Sequence, residues 1–470
     1  MPLHIPFDNS YAALPTDFYT AQNPTAVQSP SLIAFNDDLA KLLGITAGDV
    51  DEQARVFAGN VVPDGATPLA QLYSGHQFGS YNPQLGDGRA VLLGEVIGTD
   101  GIRRDIQLKG SGPTPYSRSG DGRAWLGPVL REYVVSEAMH ALGIPTTRAL
   151  AATLTGQPVY REAAFPGAVL TRVAQSHLRV GSFQVFAHRG QTEQLKTLTG
   201  YAINRHYPDA KGPMDLLRAV CAAQAELIPA WMAVGFIHGV MNTDNCSIAG
   251  ETIDYGPCAF MDAYAQTRVF SSIDQGARYA YANQPNIAVW NMAQFATALI
   301  QAMDDKEAAV EEATAIIHAM PAQLEAAWLR RFGAKIGLSA PTPADQAMIE
   351  DLLALMEQNG ADFTNTFAAL GTPVARDQFS DPNAFDGWAT GWQSRLQGAP
   401  DAAQVMAAAN PLIIPRNHRI ETMIQSALAN DYAPFERLMA ALSDPFANSD
   451  PALCKAPVPS EIVPATFCGT

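Results

Sequence analysis

The sequence predicts a two-lobed α+β protein with a β-rich first part, a mainly helical second part and an extended tail. Three observations predict it. Strand-like segments gather around a single helix up to about residue 175. From about Ser176 the pattern turns mainly helical. The chain from Asp444 on carries Pro445, Pro451, Pro457, Pro459 and Pro464, too many for regular structure. The expected division is residues 1–175 (N-terminal region and β-rich lobe), 176–443 (helical lobe) and 444–470 (tail, lying extended on the surface or disordered).

Each element has a local reason. Residues 1 to about 70 mix Pro, Asn and Asp with short helical patches such as NDDLAKLLG, where Asn36 suits an N-cap and Gly44 a C′ position. RAVLLGEVIG (Arg89–Gly98) reads as a strand, and TDG (Thr99–Gly101) as a hairpin turn. IRRDIQLK then alternates, with Ile106 and Leu108 facing one way and Asp105, Gln107 and Lys109 the other. Lys109 is therefore expected to end a strand on its polar face, turned from the packed side. GPVLREYVVSEAMHALGIP reads as a helix with Pro128 in its first turn and Gly143 and Pro145 ending it. Leu130, Val134, Ala138 and Leu142 form its expected buried stripe. TRALAATL, QPVYRE and GAVLTRV follow as strands. The helical part is read from MDLLRAVCAAQAELIPAWMAVG, NMAQFATALIQAMDD, EAAVEEATAIIHAM and DQAMIEDLLALMEQNG.

Composition narrows the function. The 470 residues are 47% hydrophobic and 16% charged, ordinary for a globular protein, with a formal net charge of −16. That charge argues against a general nucleic-acid binder, which needs a basic footprint. The cysteines are sparse and form no C-x-x-C pair, which argues against a structural zinc site and fits a reducing cytoplasm. MPLHIPFDNSYAALP lacks the basic and apolar regions of a signal peptide. The most apolar run, LIPAWMAVGFIHGVM, is shorter than the ~20 residues of a membrane helix and reads as a buried helix leading into a site.

That site begins at HGVMNTDN (His238–Asn245), followed by IDYG (Ile253–Gly256). A protein kinase places H-R-D-x-x-x-x-N before a strand and then D-F-G. Counted this way, Asn245 and Asp254 stand where oxygen ligands for Mg²⁺ stand, but the position of the catalytic aspartate is Val240. The other parts follow in kinase order: GDGR on the strand pair, Lys109 on the next strand, and Glu132 on the helix after it, placed to pair with Lys109. Each also has a plain structural role: a tight turn, a solvated rim lysine, an outer helix face, a loop cap. GDGRA occurs twice, at Gly86–Ala90 and Gly120–Ala124, without the matching flanks of a repeat. The two copies read either as Asp-Gly turns or as two backbone nests around one anion.

The long blocks YSGHQFGSYNPQLGDGRA, QLKGSGPTPYSRSGDGRAWLGPVLREYVVSEAMHALGIPTTRAL, HGVMNTDN with DYGPCAFMDAY, and RYAYANQPNIAVWNMAQ resemble the selenoprotein O (SelO) family, and NPLIIPRNHRIE fits as well. The resemblance implies a protein-kinase-like pseudokinase fold. It also implies an activity: moving AMP from ATP onto Ser, Thr or Tyr hydroxyls of proteins, with the nucleotide bound in a flipped orientation and Mg²⁺ or Mn²⁺ as cofactor. By matching motif it implies nucleotide contacts at Gly86, Gly88, Arg89, Lys109, Asp121, Gly122, Arg172 and Arg179. It implies metal ligands at Asn245 and Asp254 and a proton acceptor at Asp244. Arg172 and Arg179 rest on the resemblance, since LTRVAQSHLRVG is not clearly helical. Cys468 stands where some family members carry selenocysteine. A bridge from it to Cys258, just past Asp254, would clamp the tail across the site; two unpaired thiols are the alternative.

Elementary chemistry agrees with the implied activity. Arg89, Lys109, Arg172 and Arg179 are more cations than a transferable γ-phosphate needs; together they would anchor it. With the nucleotide reversed, the α-phosphorus lies near the metal and pyrophosphate leaves. Val240 cannot accept a proton, and Asp244 is the nearest carboxylate that can, though a loop cap is its plainer role. An ordinary phosphotransferase and a non-catalytic nucleotide-binding scaffold are the rival readings.

Overall fold

The computed structural model describes residues 2–447 and 450–467. Its strands, in chain order, are β1 (Tyr19–Ala21), β2 (Ser31–Phe35), β3 (Leu69–Gln71), β4 (Gly75–Gln77), β5 (Ser80–Asn82), β6 (Ala90–Ile97), β7 (Arg103–Lys109), β8 (Ala124–Trp125), β9 (Arg148–Tyr160), β10 (Ala164–Ala174), β11 (Phe236–Ile237) and β12 (Ala259–Phe260). One antiparallel sheet takes the order β1-β3-β6-β7-β10-β9-β2, with β8 added beside β10. The β4–β5 and β11–β12 pairs stand apart from it.

Local signals behave as read. The short helix α1 (Asp37–Leu42) is capped by Asn36, whose side chain accepts from Leu39 N at 3.0 Å, and Gly44 follows at φ +71°. The Asp-Gly turn joins β6 to β7, with Gly101 at φ +77°. Helix α2 (Val50–Phe57) packs with α1 on one face of the sheet. Leu39, Leu43, Val56 and Phe57 meet Leu93, Val96, Ile106, Leu108, Leu150 and Val169 there.

The other face is not solvated, contrary to expectation. Asp105 and Gln107 are 1% and 0% exposed and Lys109 is 9% exposed. This face turns toward the helical part, and its polar groups are buried because each finds a partner. Asp105 accepts from His177 Nδ1 at 2.9 Å and Arg205 Nη2 at 2.6 Å. The expected break between TRALAATL and QPVYRE is also absent, since β9 runs through both and pairs with β10 across bulges at Pro166/Ala168 and Thr171/Arg172.

Helix α3 (Leu126–Ala141) buries the expected stripe of Leu130, Val134 and Ala138, and Gly143 follows it at φ +73°. It buries Arg131 and Glu132 as well, because it lies between β9–β10 and two later helices. The helical part comprises α4 (Val180–His188), α5 (Thr192–His206), α6 (Pro213–Ala233), α7 (Gln284–Ile300), α8 (Lys306–Lys335), α9 (Gln346–Asn359), α10 (Phe363–Ala369), α11 (Pro382–Arg395), α12 (Ala402–Ala409), α13 (Asn417–Leu428) and α14 (Ala433–Leu442). Helix α8 continues through Pro321 where the sequence suggests an end at Met320. It packs along α6, which itself contains Pro229, and that burial outweighs the hydrogen bond each proline removes.

The tail runs extended after α15 (Pro451–Cys454) and is anchored at Thr466. Thr466 N donates to Phe270 O at 2.7 Å and its Oγ1 to Pro257 O at 2.6 Å. Cys258, beside that contact, is buried, with its thiol pushed up to about 12 by burial. Cys468 lies outside the described residues, so the expected Cys258–Cys468 bridge has no structural account. Among the described residues no helix is long and apolar enough to cross a membrane.

Candidate active site

Three pieces of chain meet beside the central strands of the sheet: the C-terminal end of β7 with the paired stretch of β10, the GDGR loops before β6 and β8, and the loop between β11 and β12. The last is held from inside. His238 is fully buried, and its Nε2 meets Ile253 O at 2.9 Å, tying the HGVMNTDN turn to the IDYG turn. Burial lowers the pKa of this imidazole, in keeping with a structural role.

Between these pieces lies a cavity of about 790 Å³. Gly86, Gly88, Arg89, Lys109, Asp121, Gly122, Arg172, Arg179, Asp244, Asn245 and Asp254 all line it, so the structure brings together every site residue expected from the sequence. Val240 lines it too.

Asp254 is its electrostatic centre. Its Oδ1 lies 2.8 Å from Lys109 Nζ and 2.6 Å from Arg172 Nη1, while Oδ2 has Arg179 Nη1 at 3.9 Å. Burial by itself would raise this carboxyl, but Arg172, Lys109 and Arg179 hold it well below the usual carboxylate range. Glu132 completes the set as the sequence suggests, with Oε2 2.6 Å from Lys109 Nζ and Oε1 3.3 Å from Arg172 Nη1. Arg172 also donates to Gln107 Oε1 at 2.7 Å, so its fork spans three partners on three elements. Arg179 sits in the N-cap position of α4, with its guanidinium carbon 4.2 Å from the centre of the Tyr73 ring.

Asp244 differs in kind. Its Oδ2 accepts from Gln77 Nε2 at 3.1 Å, and its buried Oδ1 has no hydrogen-bond partner among the described residues. Burial pushes this carboxyl up to about 6, against the lowering pull of its own backbone N–H, Gln77 and Arg179. A carboxylate so poorly solvated suits proton acceptance near neutral pH.

The donor set fits a hard divalent ion. Asn245 Nδ2 donates to Val240 O at 3.0 Å, which fixes the amide so that its oxygen is the atom that could ligate an ion. Asp254 is ionised, and its Oδ2 is only distantly approached by Arg179. Two protein oxygens, completed by phosphate and water oxygens, are what Mg²⁺ takes.

The two GDGR loops have different surroundings. Gly86 is at φ +81°, and a Cβ there would collide with the Tyr116 ring. Gly122 is at φ +65°, and a Cβ there would collide with the carbonyl of Gly112. The N–H groups of Gly88 and Gly120 donate to Gly86 O and Ser117 O, so these two groups are engaged within their own loops. Asp121 is paired with Arg161 Nη1 at 2.9 Å, which together with nearby N–H groups lowers its carboxyl.

Sequence reasoning missed Tyr73, Gln77, Asp87, Gln107, Arg123 and Arg161 at this site. Tyr73 and Gln77 lie within the YSGHQFG block, but nothing in their residue types announces a role. Strain gives a signal only in three dimensions: Phe78, Arg118 and Asp254 line the cavity at φ +52°, +56° and +64°, a region non-glycine residues rarely occupy.

The sequence profile of the family described as "Protein adenylyltransferase SelO" matches residues 2–443. Proteins named "Protein nucleotidyltransferase YdiU" are similar over full length. Those of Roseobacter denitrificans and Ruegeria pomeroyi are each 68% identical, over 470 and 472 residues, covering 100% of both chains. That of Jannaschia sp. is 57% identical over 480 residues, again covering 100% of both. With its cleft chemistry and a match over nearly its whole length, the chain belongs to the SelO family of protein adenylyltransferases.

Proposed function

We propose that the chain transfers AMP from ATP to a Ser, Thr or Tyr hydroxyl of a protein substrate. In this reading residues 1–175 and 176–443 form the two lobes of a kinase-like cleft, residues 444–470 make up the C-terminal tail, and ATP lies reversed. Lys109, Arg172, Arg179 and Arg89 hold the outer phosphates at the cationic end, with Gly86, Gly88, Asp121 and Gly122 shaping the loops over them. The hydroxyl oxygen bonds to the α-phosphorus while its proton passes to Asp244. The bond from that phosphorus to its bridging oxygen breaks, and pyrophosphate leaves with the bonding electrons. A divalent ion, Mg²⁺ or Mn²⁺, bound through Asn245 and Asp254, supplies neutralisation of phosphate charge.

The observation that carries this reading is the exchange of bases within one loop. Val240 lines the cavity where a phosphotransferase needs its aspartate, and the buried Asp244, with one oxygen unpartnered among the described residues, lines it four residues later. ATP labelled at the α-phosphorus should label protein substrate, and ATP labelled at the γ-phosphorus should not. Label retained only from the γ position would make the chain a phosphotransferase instead.

A further inference from the structure

The β4–β5 hairpin lies against the loop that carries Asp244. We propose that it positions this carboxylate, and that Gln77 is the residue through which it does so; this rests on the reading of Asp244 as proton acceptor.

Three successive residues of the hairpin grip three successive residues of the loop. His76 N donates to Thr243 Oγ1 at 2.7 Å, Gln77 Nε2 to Asp244 Oδ2 at 3.1 Å, and Phe78 N to Asn242 Oδ1 at 3.0 Å. Both flanking contacts are braced. Thr243 Oγ1 donates to Gln184 Oε1 at 2.6 Å, the Gln184 amide meets His76 Nδ1 at 3.0 Å, and Tyr279 OH donates to Asn242 Oδ1 at 2.6 Å. Gly75 permits the approach, since a Cβ there would stand 2.6 Å from Asp244 Oδ1.

The terminal torsion of an aspartate is broad and two-fold, so packing alone orients its oxygens poorly. Here one side-chain donor, Gln77, sets the rotation, and the other oxygen has no partner among the described residues to compete for it. Proton transfer requires that orientation, and a displacement of about 1 Å can cost about 100-fold in rate. Gln77 lines the cavity but acts through Asp244, so it is a positioning residue.

Gln77→Met keeps the length of the side chain and removes the donor. It should lower kcat for AMP transfer about 10- to 100-fold while KM and Kd for ATP change less than about twofold. In the Asp244→Asn background, the same substitution should lower the residual transfer no further. Gln77→Glu, which presents an acceptor in place of the donor, should behave like Gln77→Met and serves if that variant misfolds. Wild-type kcat in Gln77→Met, or a loss of ATP affinity equal to the loss of kcat, overturns the inference. If Asp244→Asn itself retains full transfer, the proton-acceptor reading falls first. If Asp244→Asn is impaired and Gln77→Met is not, the positioning role alone is wrong.

Discussion

Arg172 and Asp254 are locked together at the base of the cleft, Nη1 to Oδ1 at 2.6 Å, and Lys109 shares the same carboxylate oxygen at 2.8 Å. One strand-end lysine and one mid-strand arginine thus hold the IDYG aspartate in a left-handed backbone conformation, φ +64°. The pairing makes Asp254 the hinge of both charge balance and ligand geometry.

Asp254→Ala removes the ionised oxygen proposed as a metal ligand and one of the two carboxylates that Lys109 and Arg172 share. AMP transfer should fall by more than about 100-fold, with the folded state retained because Glu132 still meets both Lys109 and Arg172. Transfer to protein at the wild-type rate would show that Asp254 holds no essential ion.

Arg172→Lys keeps the charge but not the reach. A lysine cannot contact Glu132, Asp254 and Gln107 at once, as the guanidinium does. Breaking a buried pair costs about 3–5 kcal/mol, and the retained charge should recover only part of it. Chemical denaturation should therefore show a loss of about 1–3 kcal/mol together with weakened ATP binding. Unchanged stability would mean that the fork geometry is immaterial.

Gly122→Ala meets backbone it cannot displace cheaply, because the Gly112 carbonyl occupies the space the Cβ requires and φ is +65°. The loop must move, at a cost of about 1–3 kcal/mol. Nucleotide affinity should drop while the helical part keeps its stability. Isothermal titration with ATP checks this, and wild-type affinity would count against a role for the second GDGR loop.

Lys335 is buried over the Phe363 and Phe367 rings, its Nζ 5.4 Å and 4.3 Å from their centres. Burial lowers its pKa from 10.5 to about 7. The unfolded chain therefore binds more protons between pH 7 and pH 10.5, so stability rises with pH across that window. Below pH 7 the full cost of the buried charge is present, partly offset by the rings. Lys335→Met should stabilise the protein by about 1–3 kcal/mol at about pH 7 and flatten the rise. Denaturation midpoints between about pH 6.5 and 9 test the point, and parallel curves for the two proteins would refute it.

Much of the local structure is legible in the sequence. The Asn36 cap, the Asp-Gly turn at Gly101 and the Gly143 stop are decided within a few residues, by side-chain hydrogen bonds and allowed φ. The motif order from GDGR through Lys109 and Glu132 to Asn245 and Asp254 is legible too, since it is linear information. The Lys109–Glu132 pair follows from that order. The burial of the polar face of β7 is not legible, because alternation reports two faces and not which of them a later helix covers. The full length of α8 is hidden for a similar reason: a proline's local cost at Pro321 is visible in sequence, and the packing that offsets it is not.

The types of the elements, the family and the inventory of charged groups can be read along the chain. Tertiary structure decided which of those groups meet: Lys109 reaches Asp254 across 145 residues and Gln77 reaches Asp244 across 167. Periodicity and capping act over one or two turns of chain. Burial and the charges packed around a group, which shift these two carboxyls in opposite directions, depend on segments brought together from the whole chain.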